Sequence, residues 1–71
     1  MSNRPWNLSA PDGYRASIQK MNEPRWVAEV TVERIAPTYP QWVKRFERWP
    51  DPQQIAIAVA EGHDNLMRAA Q

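Results

Sequence analysis

The stretch that decides the fold is Trp42-Val43-Lys44-Arg45-Phe46-Glu47-Arg48-Trp49. As a helix, it follows a capping box made by Thr38 and Gln41, and Trp42, Val43, Phe46 and Trp49 fall on one side. As a strand, Trp42, Lys44, Phe46 and Arg48 alternate with Val43, Arg45, Glu47 and Trp49, which mixes polar and apolar groups on both faces. Local pattern favours the helix. The rest of the chain favours the strand, because a three-stranded sheet can bury an apolar helix face that a bare hairpin hardly can.

That apolar helix follows directly, over residues 49–71. Asp51 is placed to cap its N-terminus, Pro52 suits its first position, and Gln54 completes a capping box. Ile55, Ala58, Val59, Gly62, Leu66 and Ala69 recur at helical spacing and form one stripe of mostly small residues. An isolated helix of this kind is marginal in water, so something upstream must cover it.

Two strands upstream supply the cover. In residues 14–20, Tyr14, Ala16 and Ile18 point one way and Arg15, Ser17 and Gln19 the other. In residues 25–34, Trp26, Ala28, Val30 and Val32 share one face, and Val27, Glu29, Thr31 and Glu33 share its reverse. Met21-Asn22-Glu23-Pro24 is the expected hairpin connection, and Pro37 and Pro40 mark residues 35–41 as a loop. Residues 1–13 hold Pro5, Pro11 and Gly13 without a sustained period and read as an irregular lead-in. Within it, Trp6 is expected to cover one end of the core. The expectation is one small α+β domain over residues 14–71, a three-stranded antiparallel sheet packed on one C-terminal helix. The alternative is a β-hairpin plus two helices.

Composition narrows the function. The chain has 71 residues, enough for one domain with a small core, and no cysteine. Disulfides, thiolate metal sites and cysteine nucleophiles are thereby excluded. Nine Lys and Arg against eight Asp and Glu leave a net charge of +1, too balanced to announce nucleic-acid binding by charge alone. No run approaches membrane-spanning length and no charged-then-apolar leader opens the sequence, so a soluble, cytoplasmic protein is expected. His63 lies beside Glu61 and Asp64, but no second histidine completes a metal set and no motif places a serine nucleophile. His63 therefore reads as a helix-flank residue beside the core, and Asp64 with Arg68 as an i, i+4 ion pair. No metal, cofactor or catalytic residue is expected, and the chain does not read as an enzyme.

Tyr14-Arg15-Ala16-Ser17-Ile18-Gln19-Lys20 and Arg25-Trp26-Val27-Ala28-Glu29-Val30 resemble the first two strands of the plant AP2/ERF DNA-binding domain. Arg48-Trp49-Pro50-Asp51-Pro52-Gln53-Gln54-Ile55-Ala56 is similar to that family's strand-to-helix junction. The arm-binding domains of tyrosine recombinases share the same order of elements. The resemblance runs from Tyr14 onward and implies duplex DNA held against the outer sheet face. Arg15, Lys20, Arg25 and Glu29 match polar contact positions. Ile18 and Thr31 stand where the family has arginines, Asn22 stands where it has an aromatic residue, and Glu33 adds a negative charge.

The expected function is a non-catalytic binding module that contacts DNA through Arg15, Lys20, Arg25, Glu29 and Arg45. The plainer account of that face is a solvated surface on which Arg15 and Arg25 pair with Glu29 and Glu33. The alternative function is a protein-interaction module, such as a small inhibitor or accessory subunit that occludes its partner. Trp6 and the off-stripe Ile57 and Met67 are its candidate contacts. Trp42, Phe46 and Trp49 read as core rather than as an aromatic platform. Gly62 is expected to admit a bulky sheet residue such as Trp26. The sequence leaves the oligomeric state open.

Overall fold

The computed structural model describes residues 5–36 and 40–70. Thr38, Gln71 and the first four residues of the lead-in lie outside that range. Four strands, β1 (Trp6–Leu8), β2 (Tyr14–Lys20), β3 (Ala28–Arg34) and β4 (Gln41–Phe46), precede one helix, α1 (Pro52–Ala69). The strands form one antiparallel sheet in the order β1-β2-β3-β4, and α1 packs on one face of it. No helix among the described residues is long and apolar enough to cross a membrane.

The decisive stretch is a strand. β4 pairs with β3 in a register that sets Ala28 opposite Phe46, Val30 opposite Lys44 and Val32 opposite Trp42. Its mixed faces are explained by its place at the sheet edge. Trp42 and Phe46 pack against the core while Lys44, on the same face, reaches past it to Glu61 of α1 at 3.5 Å. The helical alternative fails because β3 offers backbone partners from Gln41 to Phe46; Glu47, Arg48 and Trp49, expected in the same strand, lie beyond its end.

The sheet has four strands rather than three. Residues 6–8 form β1 where the sequence reads as an irregular lead-in. Trp6, Asn7 and Leu8 sit opposite Ile18, Ser17 and Ala16. Three residues between prolines are too few to show alternation, and a turn follows them. Tyr14 donates its backbone N–H to the Pro11 carbonyl at 3.0 Å. Gly13 in that turn has φ +85°, a conformation that disfavours residues with a Cβ.

β3 begins at Ala28, not at residue 25. Met21 N–H still bonds the Val27 carbonyl at 2.8 Å, in register. On the other side Val27 N–H bonds the Phe46 carbonyl at 2.8 Å, one residue out of step with the β3–β4 register. That slip ends the ladder and leaves Arg25 and Trp26 in the connection, with the Arg25 guanidinium 4.7 Å from the Trp26 ring centroid.

α1 starts as its sequence dictates. Asp51 accepts from the Gln54 N–H at 2.8 Å, and the Gln54 side chain accepts from the Asp51 N–H at 3.1 Å. Arg68, in the last turn where a cation is favoured, pairs with Asp64 at 2.9 Å. Ala58, Val59, Gly62 and Leu66 are buried. They meet Ala16, Ile18, Ala28, Val30 and Val32 from the inner sheet face. Most of these side chains are small, so helix and sheet approach closely. Gly62 faces Val32 and Trp42, not Trp26. The larger groups Leu8, Tyr14, Trp42, Phe46 and Ile55 fill in around the core, half-buried. Trp6 is 56% exposed and meets the edge of Trp49, with ring centroids 5.8 Å apart. This pair links β1 to the chain just before the helix cap, and Trp49 belongs to it rather than to the buried core.

The helix face can be checked by contrast. Val59→Asp places an unpaired carboxylate in the core at a cost of several kcal/mol and is expected to unfold the domain. Ile57→Asp, on the exposed side of α1, is expected to leave the thermal midpoint within a few degrees of the wild type. Circular dichroism melts of the two variants read both outcomes.

Candidate binding surface

Among the described residues nothing covers the face of the sheet opposite α1, and strand alternation decides what stands on it. Register aligns three rows across the strands: Arg15–Glu33–Gln41, Asn7–Ser17–Thr31–Val43, and Gln19–Glu29–Arg45. The first and third rows carry the charge. Arg15 donates from Nε to Glu33 Oε1 at 3.1 Å, with a second, shorter bond from Nη2 to the same oxygen. Gln41 Nε2 donates to Glu33 Oε2 at 3.1 Å. Arg45 Nε donates to Glu29 Oε2 at 3.1 Å. Each arginine on this face is met by a carboxylate on the neighbouring strand, which leaves the rows neutral. Exposed pairs of this kind add little stability, but they fix the charge pattern a partner meets.

Among the residues expected to touch DNA, Arg15, Glu29 and Arg45 come together on this face. Lys20 and Arg25 do not join them. Lys20 closes β2 opposite Ala28, on the alternation of the inner face. Arg25 lies in the β2–β3 connection and donates to Glu47 Oε1 at 3.2 Å. Ion pairing therefore occurs as the plainer account holds for Arg15, which meets Glu33, while Glu29 is taken by Arg45 and Arg25 pairs with Glu47 instead. The candidate protein contacts are dispersed. Trp6 is on β1 against Trp49, while Ile57 and Met67 lie 10 residues apart on the exposed side of α1. That spacing is about 15 Å along a helix.

Three features escape the sequence reading. A shallow depression on the outer face is lined by Pro5, Asn7, Arg15, Ser17, Thr31, Glu33 and Gln41. It exists because β1 adds a fourth strand. Val43 stands 44% exposed in the middle row, at the edge. The third feature is the edge itself. Ile35 N–H bonds the Gly13 carbonyl at 2.9 Å, and Arg34 N–H bonds the Pro40 carbonyl at 3.1 Å, each one step beyond the strand ends and in register. Antiparallel ladders alternate strictly from such points. The backbone groups of Trp42, Lys44 and Phe46 therefore turn toward β3, and those of Gln41, Val43 and Arg45 turn outward. Among the described residues nothing pairs with the outward groups. The opposite edge is blunted: on β1 only Asn7 turns outward, next to Pro5, which has no N–H. The outward pattern on β4 becomes legible only once its register to β3 is known.

His63 and the Tyr14 ring meet at right angles, with centroids 4.5 Å apart, and so join α1 to β2. Among the described residues no three His, Cys, Asp or Glu side chains gather as a metal site requires. No known family model matches the chain, and no curated protein or solved structure matches it either.

The neutral face has a titratable signature. Hydrogen bonds from Arg15 and then Gln41, with the Arg15 charge adding to them, hold the Glu33 carboxyl below its ordinary value of 4.5. A carboxylate lowered in this way stabilises the fold above its ordinary pKa, and that contribution is lost as pH falls through the lowered value. A carbon-detected NMR titration is expected to place the Glu33 midpoint below 4.5 in the wild type. Arg15→Ala is expected to move it back up.

Proposed function

We propose that the domain is a non-catalytic module that binds a protein partner along the open edge of β4 and the adjoining outer face. The observation that supports this is the row of backbone groups at Gln41, Val43 and Arg45, unpaired among the described residues, beside the exposed Val43 side chain. An extended segment added there gains main-chain hydrogen bonds at alternate residues and an apolar contact at Val43. The face next to that edge carries both signs of charge in matched rows, which suits a protein surface better than a polyanion.

Duplex DNA on the outer face is the competing reading, since Arg15 and Arg45 stand there. To contact phosphates, each must loosen its carboxylate, and Glu29 and Glu33 repel the backbone they would approach. Affinity in such contacts comes mainly from phosphate neutralisation and falls steeply with salt.

Fluorescence anisotropy of labelled mixed-sequence duplexes across a salt series separates the two. The protein-partner reading expects no saturable binding even at low salt. Binding that weakens with salt and is lost in the folded Arg15→Ala, Arg45→Ala double variant overturns it in favour of DNA.

A further inference from the structure

We propose that the partner at this edge is a second copy of the chain, paired antiparallel along β4 about a twofold axis through Val43. This inference rests on the protein-partner reading. The result is one continuous eight-stranded sheet, two copies of the four-stranded sheet joined edge to edge. Such an interface is isologous, so the edge must be complementary to itself.

Only some registers are open to it. The twofold axis keeps outer face with outer face, and hydrogen bonding must run between outward-turned residues, which are Gln41, Val43 and Arg45. Within β4 that leaves axes at Trp42, Val43 or Lys44. An axis at Lys44 sets two ammonium groups directly opposite each other, which is unfavourable. An axis at Trp42 brings Arg45 past the end of the partner strand. The Val43 axis overlaps the full strand save for Phe46, which falls opposite Pro40.

Side chains match in that register. On the outer face Val43 meets Val43, and Gln41 meets Arg45 of the second copy. The first row of one copy then runs into the third row of the other: Arg15, Glu33, Gln41, then Arg45, Glu29 and Gln19 of the second copy. No like charges stand side by side along it. On the inner face Lys44 falls opposite Trp42 of the second copy. An unmatched inward lysine on an edge strand normally blocks pairing. Here Lys44 is drawn back over its own domain, 3.5 Å from Glu61 and 5.7 Å from the Phe46 ring centroid.

Analytical ultracentrifugation of the full chain tests this over about 1 μM to about 1 mM, the range of weak to moderate association. Wild type is expected to shift from monomer to dimer within it. Val43→Pro removes an outward N–H without breaking a bond to β3, and Val43→Lys sets two cations at the axis. Each is expected to weaken association at least about tenfold while retaining the wild-type circular dichroism spectrum. If Val43→Pro fails to fold, Val43→Lys decides. Spin labels on the dimer at Gln41→Cys and at Arg45→Cys are expected to report equal distances between copies, since both positions lie two residues from the axis. A wild type that stays monomeric throughout overturns the proposal, as does a dimer that both Val43 variants leave intact; unequal label distances overturn the register. The failures are distinct, because the duplex-binding measurement decides the protein-partner reading whether or not the chain pairs with itself.

Discussion

The seating of Gly62 on Val32 and Trp42 is the contact on which the rest of the structure depends. A Cβ built on Gly62 meets Trp42 Cε3 at 2.5 Å, Val32 Cγ2 at 2.6 Å and Val32 Cβ at 2.8 Å, all closer than side-chain carbons tolerate. The helix can lie this close only because its stripe is made of Ala58, Val59, Gly62 and Leu66 and the sheet beneath is lined with alanine and valine. Close approach in turn explains how so short a chain does without staples. The core is thin and dense, and its larger rings are spent around the margin, at Trp42, Phe46 and Tyr14, or as a clasp, at Trp6 and Trp49.

The same geometry sets what the other side of the sheet presents. One helix covers the inner face, and among the described residues the outer face and the β4 edge stay open. Arginine and glutamate alternate across the strands there, and each cation is met by a carboxylate within the domain. A surface whose charges are satisfied internally is poor at gathering phosphates. An edge whose backbone groups are unsatisfied is a template for another strand. These two facts, more than any single side chain, are what the proposal of a protein partner rests on.

Much of this was legible in the sequence, and the rest has physical reasons for being hidden. The cap at Asp51 and Gln54 and the apolar stripe of α1 are local, governed by residues three or four apart, and they stand as read from Ile55 to Leu66, while Ala69, at the end of the stripe, is exposed. β2 shows clean alternation and stands from Tyr14 to Lys20. β4 needed tertiary reasoning, because an edge strand can carry Lys44 on its buried side where a central strand cannot. β1 was hidden because three residues carry no measurable period. The start of β3 was misplaced because Val27 slips out of register with Phe46, and no local pattern encodes that slip. On the outer face, the grouping of Arg15, Glu29 and Arg45 followed from alternation once β4 was a strand. Arg15 with Glu33 is among the expected pairings, but Arg45 with Glu29 and Arg25 with Glu47 are not, because ion pairing depends on register between strands rather than on position along one.

The central claim is that the domain is built on one close helix–sheet contact, and Gly62→Ala tests it most directly by chemical and thermal denaturation. On helix propensity alone the change stabilises by about 1 kcal/mol. If the contact is as tight as the structure has it, overpacking costs about 1–3 kcal/mol or more, because Val32 sits on a central strand and its Cβ cannot give way. The account predicts a net loss of stability, with a thermal midpoint several degrees below wild type. A midpoint that rises would contradict it.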